Sequence, residues 1–310
     1  MTNILTVTPN PAIDVATYAA KVVPTHKIRC TSVTRDPGGG GINAARVIAR
    51  LGGTCDALFP VGGPLGELLR RLVEAENVNS LCIGIAEDTR ESFTVCETDS
   101  GQEYRFVLPG PELSETEWQA LLQAATDHGS GWIVASGSLP PGVPVDFYAR
   151  LSEEARARGA RVFLDSSGKA LAAAIEAGTT ALKPNLRELR EFTGKPLEDE
   201  DSWVAAARDL VDTRAAEIVA LSLGHHGALL ATQAGTWRAP GLPVRAKSAV
   251  GAGDSFVGAM VYALEQGGEP TEAFRKGVAA GTAALLTAGT ALCNPENVER
   301  LLPQVELRAL

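Results

Sequence analysis

The sequence predicts an α/β protein with a mainly parallel sheet covered by helices, on two observations. Short apolar runs rich in β-branched residues alternate with longer segments of helical period, the pattern of successive βαβ units. The alternation continues from Ile4 to Leu223 and is broken at only two places.

In order, Ile4–Thr8 reads as a strand and roughly Gly41–Leu51 as a helix. Trp132–Ala135 is a strand, Phe147–Arg158 a helix, Arg161–Asp165 and Leu182–Pro184 strands, Trp203–Thr213 a helix and Ile218–Leu223 a strand. Past Gly224, Ala228–Thr232 and Thr236–Ala239 flank a turn at Gln233–Gly235 and read as a hairpin. From Asp254 onward the chain is helical. Gly267-Gly268 stops the first helix, and an alanine-rich one follows over about Phe274–Thr287. The two interruptions, about 14–36 and 87–108, carry strand-like stretches at Lys27–Thr34, Ser92–Glu97 and Glu103–Val107 with no helix between them. They are expected to pair as a small antiparallel sheet projecting from the body. They also gather Lys27, Arg29, Arg35, Arg90 and Arg105, which a solvated edge strand explains in part.

At 310 residues and 45% hydrophobic, the chain can build one large core with an appendage. No linker divides it, so residues 1–310 are read as a single domain. A net charge of −9 with no Lys/Arg run excludes a general nucleic-acid or membrane-surface binder, while a small anionic ligand needs only a few placed cations. No apolar run approaches a membrane span, and the expectation is a soluble, cytoplasmic protein. Cys30, Cys55, Cys82, Cys96 and Cys293 lack metal spacing and read as reduced, buried thiols. The histidines, His26, His128, His225 and His226, read as surface residues, and the four tryptophans as core or half-buried.

The chemistry concentrates in Ala249-Val250-Gly251-Ala252-Gly253-Asp254-Ser255-Phe256. Glycines let backbone approach a ligand, and the first N–H groups of the helix that follows lack intrahelical partners, so the segment forms an anion cradle. A carboxylate beside a bound phosphate is repelled unless it accepts a proton there, as Asp254 would from an attacking hydroxyl. The plainer reading is a helix cap. Pro37-Gly38-Gly39-Gly40-Gly41-Ile42-Asn43-Ala44-Ala45-Arg46 leads four glycines into a helix, a cost in chain entropy that implies close backbone approach. It contains the weak G-x-G-x-x-A form of a dinucleotide fingerprint, but it follows no core strand and no acid lies about 20 residues on. The P-loop pattern is absent. Asn185 and Glu188, three apart on an opening helix, read either as holders of a hydrated Mg²⁺ or as a cap with its N3 carboxylate.

Together these segments resemble the ribokinase-like (PfkB-type) family of sugar kinases, nearly end to end, from Thr8-Pro9-Asn10-Pro11-Ala12-Ile13-Asp14 to Gly289-Thr290-Ala291-Leu292-Cys293. Ser136-Gly137-Ser138-Leu139-Pro140-Pro141-Gly142 and Asp165-Ser166-Ser167-Gly168 are similar to its phosphosugar branch. Glu103–Gly110 and Lys27–Thr31 look closest to the bacterial ribokinase-fold 6-phosphofructokinases. The resemblance implies a three-layer α/β fold with a β-lid, a homodimer joined through the lids, and ATP-dependent phosphorylation of fructose 6-phosphate at its 1-hydroxyl. Tagatose 6-phosphate and fructose 1-phosphate stay open as substrates, and a sugar-phosphate sensor without turnover as the rival of another class.

Carried over by resemblance, Asp254 is the base, with Gly251, Ala252 and Gly253 forming the anion hole. Asp14, Gly39, Asn43 and Ser138 would hold sugar hydroxyls, Arg90 and Arg105 the sugar phosphate, and Lys27 a neighbouring subunit's site. Lys183, Asn185, Glu188, Ser222, Gly224 and Gly227 fall on the ATP and Mg²⁺ side, with adenine near Ala279 and Thr282. A potassium site is implied through Ser248, Val250, Ala284, Thr287, Gly289 and Ala291. Thr287 and Ala291 depart from the Asn and Arg of the resembled branch, and His225-His226 departs in the ATP loop.

Overall fold

The computed structural model describes residues 3–287, 289 and 291–310. The first half comprises β1 (Ile4–Val7), β2 (Ala12–Ala19), β3 (Val33–Gly38), α1 (Gly40–Arg50), β4 (Asp56–Val61), α2 (Gly63–Ala75), β5 (Asn79–Gly84), β6 (Arg90–Glu97), β7 (Glu103–Val107), α3 (Glu115–Asp127), β8 (Trp132–Ser136) and α4 (Phe147–Ala157). The second comprises β9 (Arg161–Asp165), α5 (Gly168–Ala177), β10 (Thr179–Leu182), α6 (Leu186–Thr193), α7 (Glu200–Asp212) and β11 (Ala216–Ser222). It continues through β12 (Gly227–Thr232), β13 (Gly235–Pro240), α8 (Ala252–Glu265), α9 (Pro270–Ala284), α10 (Pro295–Leu301) and β14 (Arg308–Ala309).

The main sheet has ten strands in the order β14-β13-β12-β11-β10-β9-β8-β1-β4-β5. Neighbours from β5 to β11 are parallel, and β12, β13 and β14 finish that edge antiparallel. Strand residues feed two cores by turns: Trp132 and Val134 of β8 point into one, Ile133 and Ala135 into the other. With no polar face to leave in water, such strands need helices on both sides. The first core is covered by α1, α2, α8, α9 and α10, the second by α3 to α7, which makes the three layers. Among the described residues no helix is long and apolar enough to cross a membrane.

From β1 the chain moves outward to β4 and β5 on one side. It then returns to β8 and proceeds to β9, β10 and β11 on the other. The connections leaving β1 and β8 therefore diverge, and a crevice opens at the carboxyl ends of these strands, the usual ligand position in open α/β sheets.

A second sheet of four strands, β3-β2-β6-β7, stands apart. Its central pair β2–β6 is parallel, so the sheet is mixed rather than antiparallel as expected. The cause is topological, since β2 follows β1 and β6 follows β5, two parallel strands of the main sheet that the chain leaves at their carboxyl ends in the same direction. The Lys27–Thr34 expectation is also corrected: β3 begins at Val33, and residues 20–32 form an exposed loop in which Pro24 has no N–H to donate and Thr25 adopts φ 65°. Likewise the strand expected at Leu182–Pro184 ends at Leu182, with Lys183 making one more backbone bond to Leu164.

Two residue-level readings change as well. His128 is not on the surface: its side chain is 8% exposed and its Nε2 lies 2.8 Å from Asp56 Oδ2. Of the cysteines, Cys55 and Cys293 are buried but Cys30 is exposed.

Candidate active site

The crevice between β1 and β8 is spanned by Asn10 Nδ2 donating to Ser138 Oγ at 3.1 Å. Helices α1 and α8 roof it, and their separation is set at Gly258, where a Cβ would come within 2.7 Å of the Ala44 carbonyl. That close approach brings Asn43 to Asp254 one turn away. Asn43 Nδ2 donates to Asp254 Oδ2 at 2.8 Å.

The glycine run has its explanation here. A Cβ on Gly40 would lie 2.1 Å from Ser136 Oγ and 3.3 Å from Asp254 Oδ1, and one on Gly38 would lie 2.4 Å from Asp14 Oδ2. The run is therefore laid directly over both carboxylates and the end of β8.

Helix α8 starts at Gly251 in the left-handed region (φ 72°) with no side chain capping it. Among the described residues no acceptor is assigned to the N–H groups of Gly253 and Asp254, which leaves them for a ligand at the positive end of the helix dipole. Lys183 completes this cradle. Its Nζ pairs with Asp165 Oδ1 at 3.0 Å, with side chains 6% and 15% exposed, and sits 3.3 Å from where a Cβ of Gly253 would be. Burial pushes the ammonium pKa down, but the carboxylates of Asp165, Glu188 and Asp254 outweigh it, and the net shift is upward. A fixed cation beside open N–H groups is what a transferring phosphate needs.

Asp254 is pushed up to about 6, first by burial and then by the Asp165 charge, against the Asn43 hydrogen bond and Lys183. Asp14, across the crevice on β2, is also pushed up to about 6 by burial, opposed by the guanidinium charges of Arg105 and Arg90. Both folded values exceed the ordinary 3.8. Below about pH 4 these groups favour folding fully, and that contribution is lost as pH rises through 6. Asp254→Asn removes one ionisation that opposes folding, so its melting temperature at about pH 7.5 is expected to exceed the parent's by roughly 2–4 °C, with the gain shrinking toward pH 5. Scanning calorimetry at the two pH values checks this.

The other expected residues divide. Arg90 donates to the carbonyls of Pro11 at 3.3 Å, Leu108 at 2.8 Å and Asn10 at 2.9 Å, so in this structure it pins the root of the small sheet. Arg105, on β7, is exposed and is the leading charge acting on Asp14. Lys27 lies exposed in the β2–β3 loop.

On the far side, Asn185 and Glu188 form a reciprocal capping box: Asn185 N donates to Glu188 Oε2 at 2.8 Å and Glu188 N donates to Asn185 Oδ1 at 2.9 Å. Ser222 lies beside Asn185 across a parallel bridge, with Gly224 exposed just beyond. Gly227 is explained by packing, since its Cβ would meet the Ala239 carbonyl at 2.2 Å. Of the two residues expected near the adenine, Ala279 is fully buried in the first core, while Thr282 is half-buried and bonds its own helix at Val278.

Of the six residues expected to supply potassium oxygens, three already have an oxygen that accepts a hydrogen bond. The Ala284 carbonyl accepts from Thr287 Oγ1 at 2.7 Å and the Ala291 carbonyl accepts from Arg50 Nη1. Ser248 Oγ accepts from Val250 N at 3.2 Å. The set is thus a partial fit, and no step is routed through potassium. Among the described residues no cluster of three or more His, Cys, Asp or Glu could hold a metal.

Sequence reasoning gave no role to Asp165, Asn10, Ser136 or Arg46, though each lay in a quoted motif. Their signal was position at the end of a core strand or, for Arg46, a charge on a helix face otherwise buried.

Comparison with known proteins fixes the class. The family model described as pfkB family carbohydrate kinase matches residues 7–297, which makes the chain a phosphotransferase with a sugar hydroxyl as acceptor. It belongs to the pfkB family. The chain is 46% identical over 299 residues to an ATP-dependent 6-phosphofructokinase isozyme 2 of Mycobacterium tuberculosis, covering 96% of this chain and 88% of that one. It is 32% identical over 308 residues to a 1-phosphofructokinase of Bacillus subtilis, covering 99% and 100%. Among solved structures, phosphofructokinase-2 of Escherichia coli superposes with 98% of this chain and 99% of that one covered. The TM-score is 0.95 at 40% identity for its complex with potassium and 0.93 at 39% for its complex with fructose-6-phosphate. A tetrameric inhibited form of the same protein matches at 0.93 and 40%, with the same coverage.

Proposed function

We propose that the protein transfers the γ-phosphoryl group of MgATP to the 1-hydroxyl of fructose 6-phosphate, giving fructose 1,6-bisphosphate and ADP. One observation carries this reading: Asp254, held by Asn43, stands between an open helix N-terminus and a crevice whose other wall carries Asp14 and Arg105. Supporting it are the relative named for 6-phosphofructokinase activity and the neighbour solved with fructose-6-phosphate.

In this mechanism Asp14, Asn43, Ser138 and the Gly39 backbone hold the sugar hydroxyls, and Asp254 accepts the proton of the attacking hydroxyl. The N–H groups of Gly253 and Asp254 and the Lys183 ammonium receive charge as the phosphoryl group passes. Asn185 and Glu188, which cap α6 in this structure, would hold water around Mg²⁺, and the ion would screen the phosphate charge. Little covalent work falls to the protein, so positioning in a dry site supplies most of the rate. A coupled ADP-release assay on phosphorylated and unphosphorylated ketohexoses tests the reading, with fructose 6-phosphate expected to have the highest kcat/KM. Tagatose 6-phosphate or fructose 1-phosphate in that place would reassign the substrate, and binding without ADP release would make the protein a sensor.

Because guanidinium–phosphate contacts are strong and often bidentate, Arg105→Ala is expected to raise KM for fructose 6-phosphate by at least about tenfold with KM for ATP unchanged. Arg90→Ala also frees three carbonyls at the root of the lid, so it should lower the melting temperature as well as raise that KM. Equal effects on both KM values would remove Arg105 from the clamp.

The small sheet leaves Tyr18, Val33, Phe106 and Val107 exposed at 40%, 53%, 52% and 61%. The register puts Val33 and Phe106 on one face of this sheet and Tyr18 and Val107 on the other, and the exposed apolar face of Val33 and Phe106 favours a lid-to-lid homodimer, which would bring Lys27 toward a neighbouring site. Sedimentation is expected to show a dimer at micromolar concentration and a monomer for Phe106→Asp. A fully active wild-type monomer would contradict it.

A further inference from the structure

The hydrogen bonds that hold Asp254 continue past Asn43. While Asn43 Nδ2 donates to Asp254, its Oδ1 accepts from Nη1 of Arg46, one turn along α1, at 3.1 Å. The same Nη1 donates to the Pro37 carbonyl in β3 at 3.1 Å, and Nη2 donates to Glu76 Oε1, at the end of α2, at 2.8 Å. Asp36 Oδ1 is 3.9 Å from Nη2. Arg46 is 1% exposed and is flanked by Ala45 and Val47, both fully buried.

Burying a guanidinium is expensive unless its partners repay it, and neutralising Glu76 does not require it. Arg50 already reaches both Glu76 oxygens, at 3.0 Å each, from a more exposed position. What Arg46 adds is its inward side. An amide can present either end to a carboxylate, and the wrong end sets carbonyl oxygen against carboxylate oxygen. A guanidinium has only donors, so its contact with Oδ1 forces Nδ2 toward Asp254.

We propose that Arg46 is a positioning residue for the phosphoryl transfer: it fixes the Asn43 amide so that the amide donates to Asp254, and it ties that orientation to the lid strand through Pro37 and Asp36. The proposal rests on reading Asp254 as the base. Four groups face that carboxylate: Asp165 from β9 and Asp14 from β2, which favour its protonated form, and Lys183 after β10 and Asn43 from α1, which favour the ion. Loss of a fixed Asn43 donor shifts the balance toward the protonated form and leaves less base near neutral pH.

The test compares wild type, Arg46→Met, Asn43→Ala and the double variant by the pH dependence of kcat/KM with MgATP and fructose 6-phosphate. A parallel carbon-13 NMR titration follows the aspartate carboxyls, with the Asp254 signal identified by its loss in Asp254→Asn. Arg46→Met is expected to move the acid limb and the Asp254 titration upward by about one pH unit while KM for MgATP stays unchanged. Asn43→Ala should give a similar shift, and the double variant should add nothing to it. Arg46→Lys keeps the charge but lacks the planar fork, so it should fall between the two, and it carries the test if Arg46→Met does not fold. An unmoved acid limb and an unmoved Asp254 titration would overturn the proposal, as would additive effects of the two substitutions. The NMR arm separates this proposal from the kinase reading: a shifted Asp254 titration in a protein without turnover keeps the positioning role and removes the proposed reaction.

Discussion

Asp254→Asn is expected to lower kcat by about 10²–10⁴-fold while both substrates still bind, the range for removal of a general base. The substitution keeps the shape, and its amide oxygen can still accept from Asn43 Nδ2. Loss confined to kcat is the sign of an interaction used in the transition state, and calorimetric binding with steady-state kinetics separates it from loss of affinity. In the parent protein the acid limb of the rate should lie near the folded value of about 6, because only the ionised carboxylate accepts the proton. A helix cap predicts otherwise, since Asn caps about as well as Asp and activity would stay nearly intact. The geometry already weighs against a cap, because α8 has no side-chain cap and Asp254 lies inside its first turn.

Lys183→Met should produce the second largest effect. Removing one member of a buried pair leaves the other uncompensated, a loss on the order of 3 kcal/mol with Asp165 still 15% exposed. The same change withdraws the cation beside the cradle, so kcat should fall by about 10²-fold and KM for ATP should rise. Lys183→Met with Asp165→Asn separates the two consequences. Neutralising both partners is expected to recover most of the melting temperature but not the turnover. If the double variant regained activity, Lys183 would be a structural ion pair and no part of phosphate recognition.

The layers of the fold were legible because buried parallel strands must read as short apolar runs. The Arg161–Asp165 strand lies where such a run predicts. The small sheet was less legible. Its β3 runs over Pro37 and Gly38, which read as the start of the glycine run rather than as strand, and the strand tolerates proline because it lies at the sheet edge, where no further ladder needs the missing N–H. The parallel β2–β6 pairing depends on the chain leaving the parallel strands β1 and β5 at the same end of the main sheet, and local periodicity carries no such information.

In the site, the helix-terminal cradle was readable from glycine and aspartate spacing, because unsatisfied N–H groups follow from any helix start. The Asp165–Lys183 pair was not, since it forms between the carboxyl ends of neighbouring strands whose adjacency is a property of the topology. Nor was the bond between Asn43 and Asp254, 211 residues apart, or the pairing of His128 with Asp56, 72 apart. Ala279 shows the converse limit, because a small residue on an alanine-rich helix serves equally for ligand approach and for close packing, and here it packs.

The most direct measurement is product identification by NMR with fructose 6-phosphate labelled with carbon-13 at C1 and MgATP. Transfer to the 1-hydroxyl predicts a new carbon–phosphorus coupling at C1 and one ADP for each fructose 1,6-bisphosphate. An unchanged C1 signal while ADP accumulates, or no ADP at all, would contradict the account.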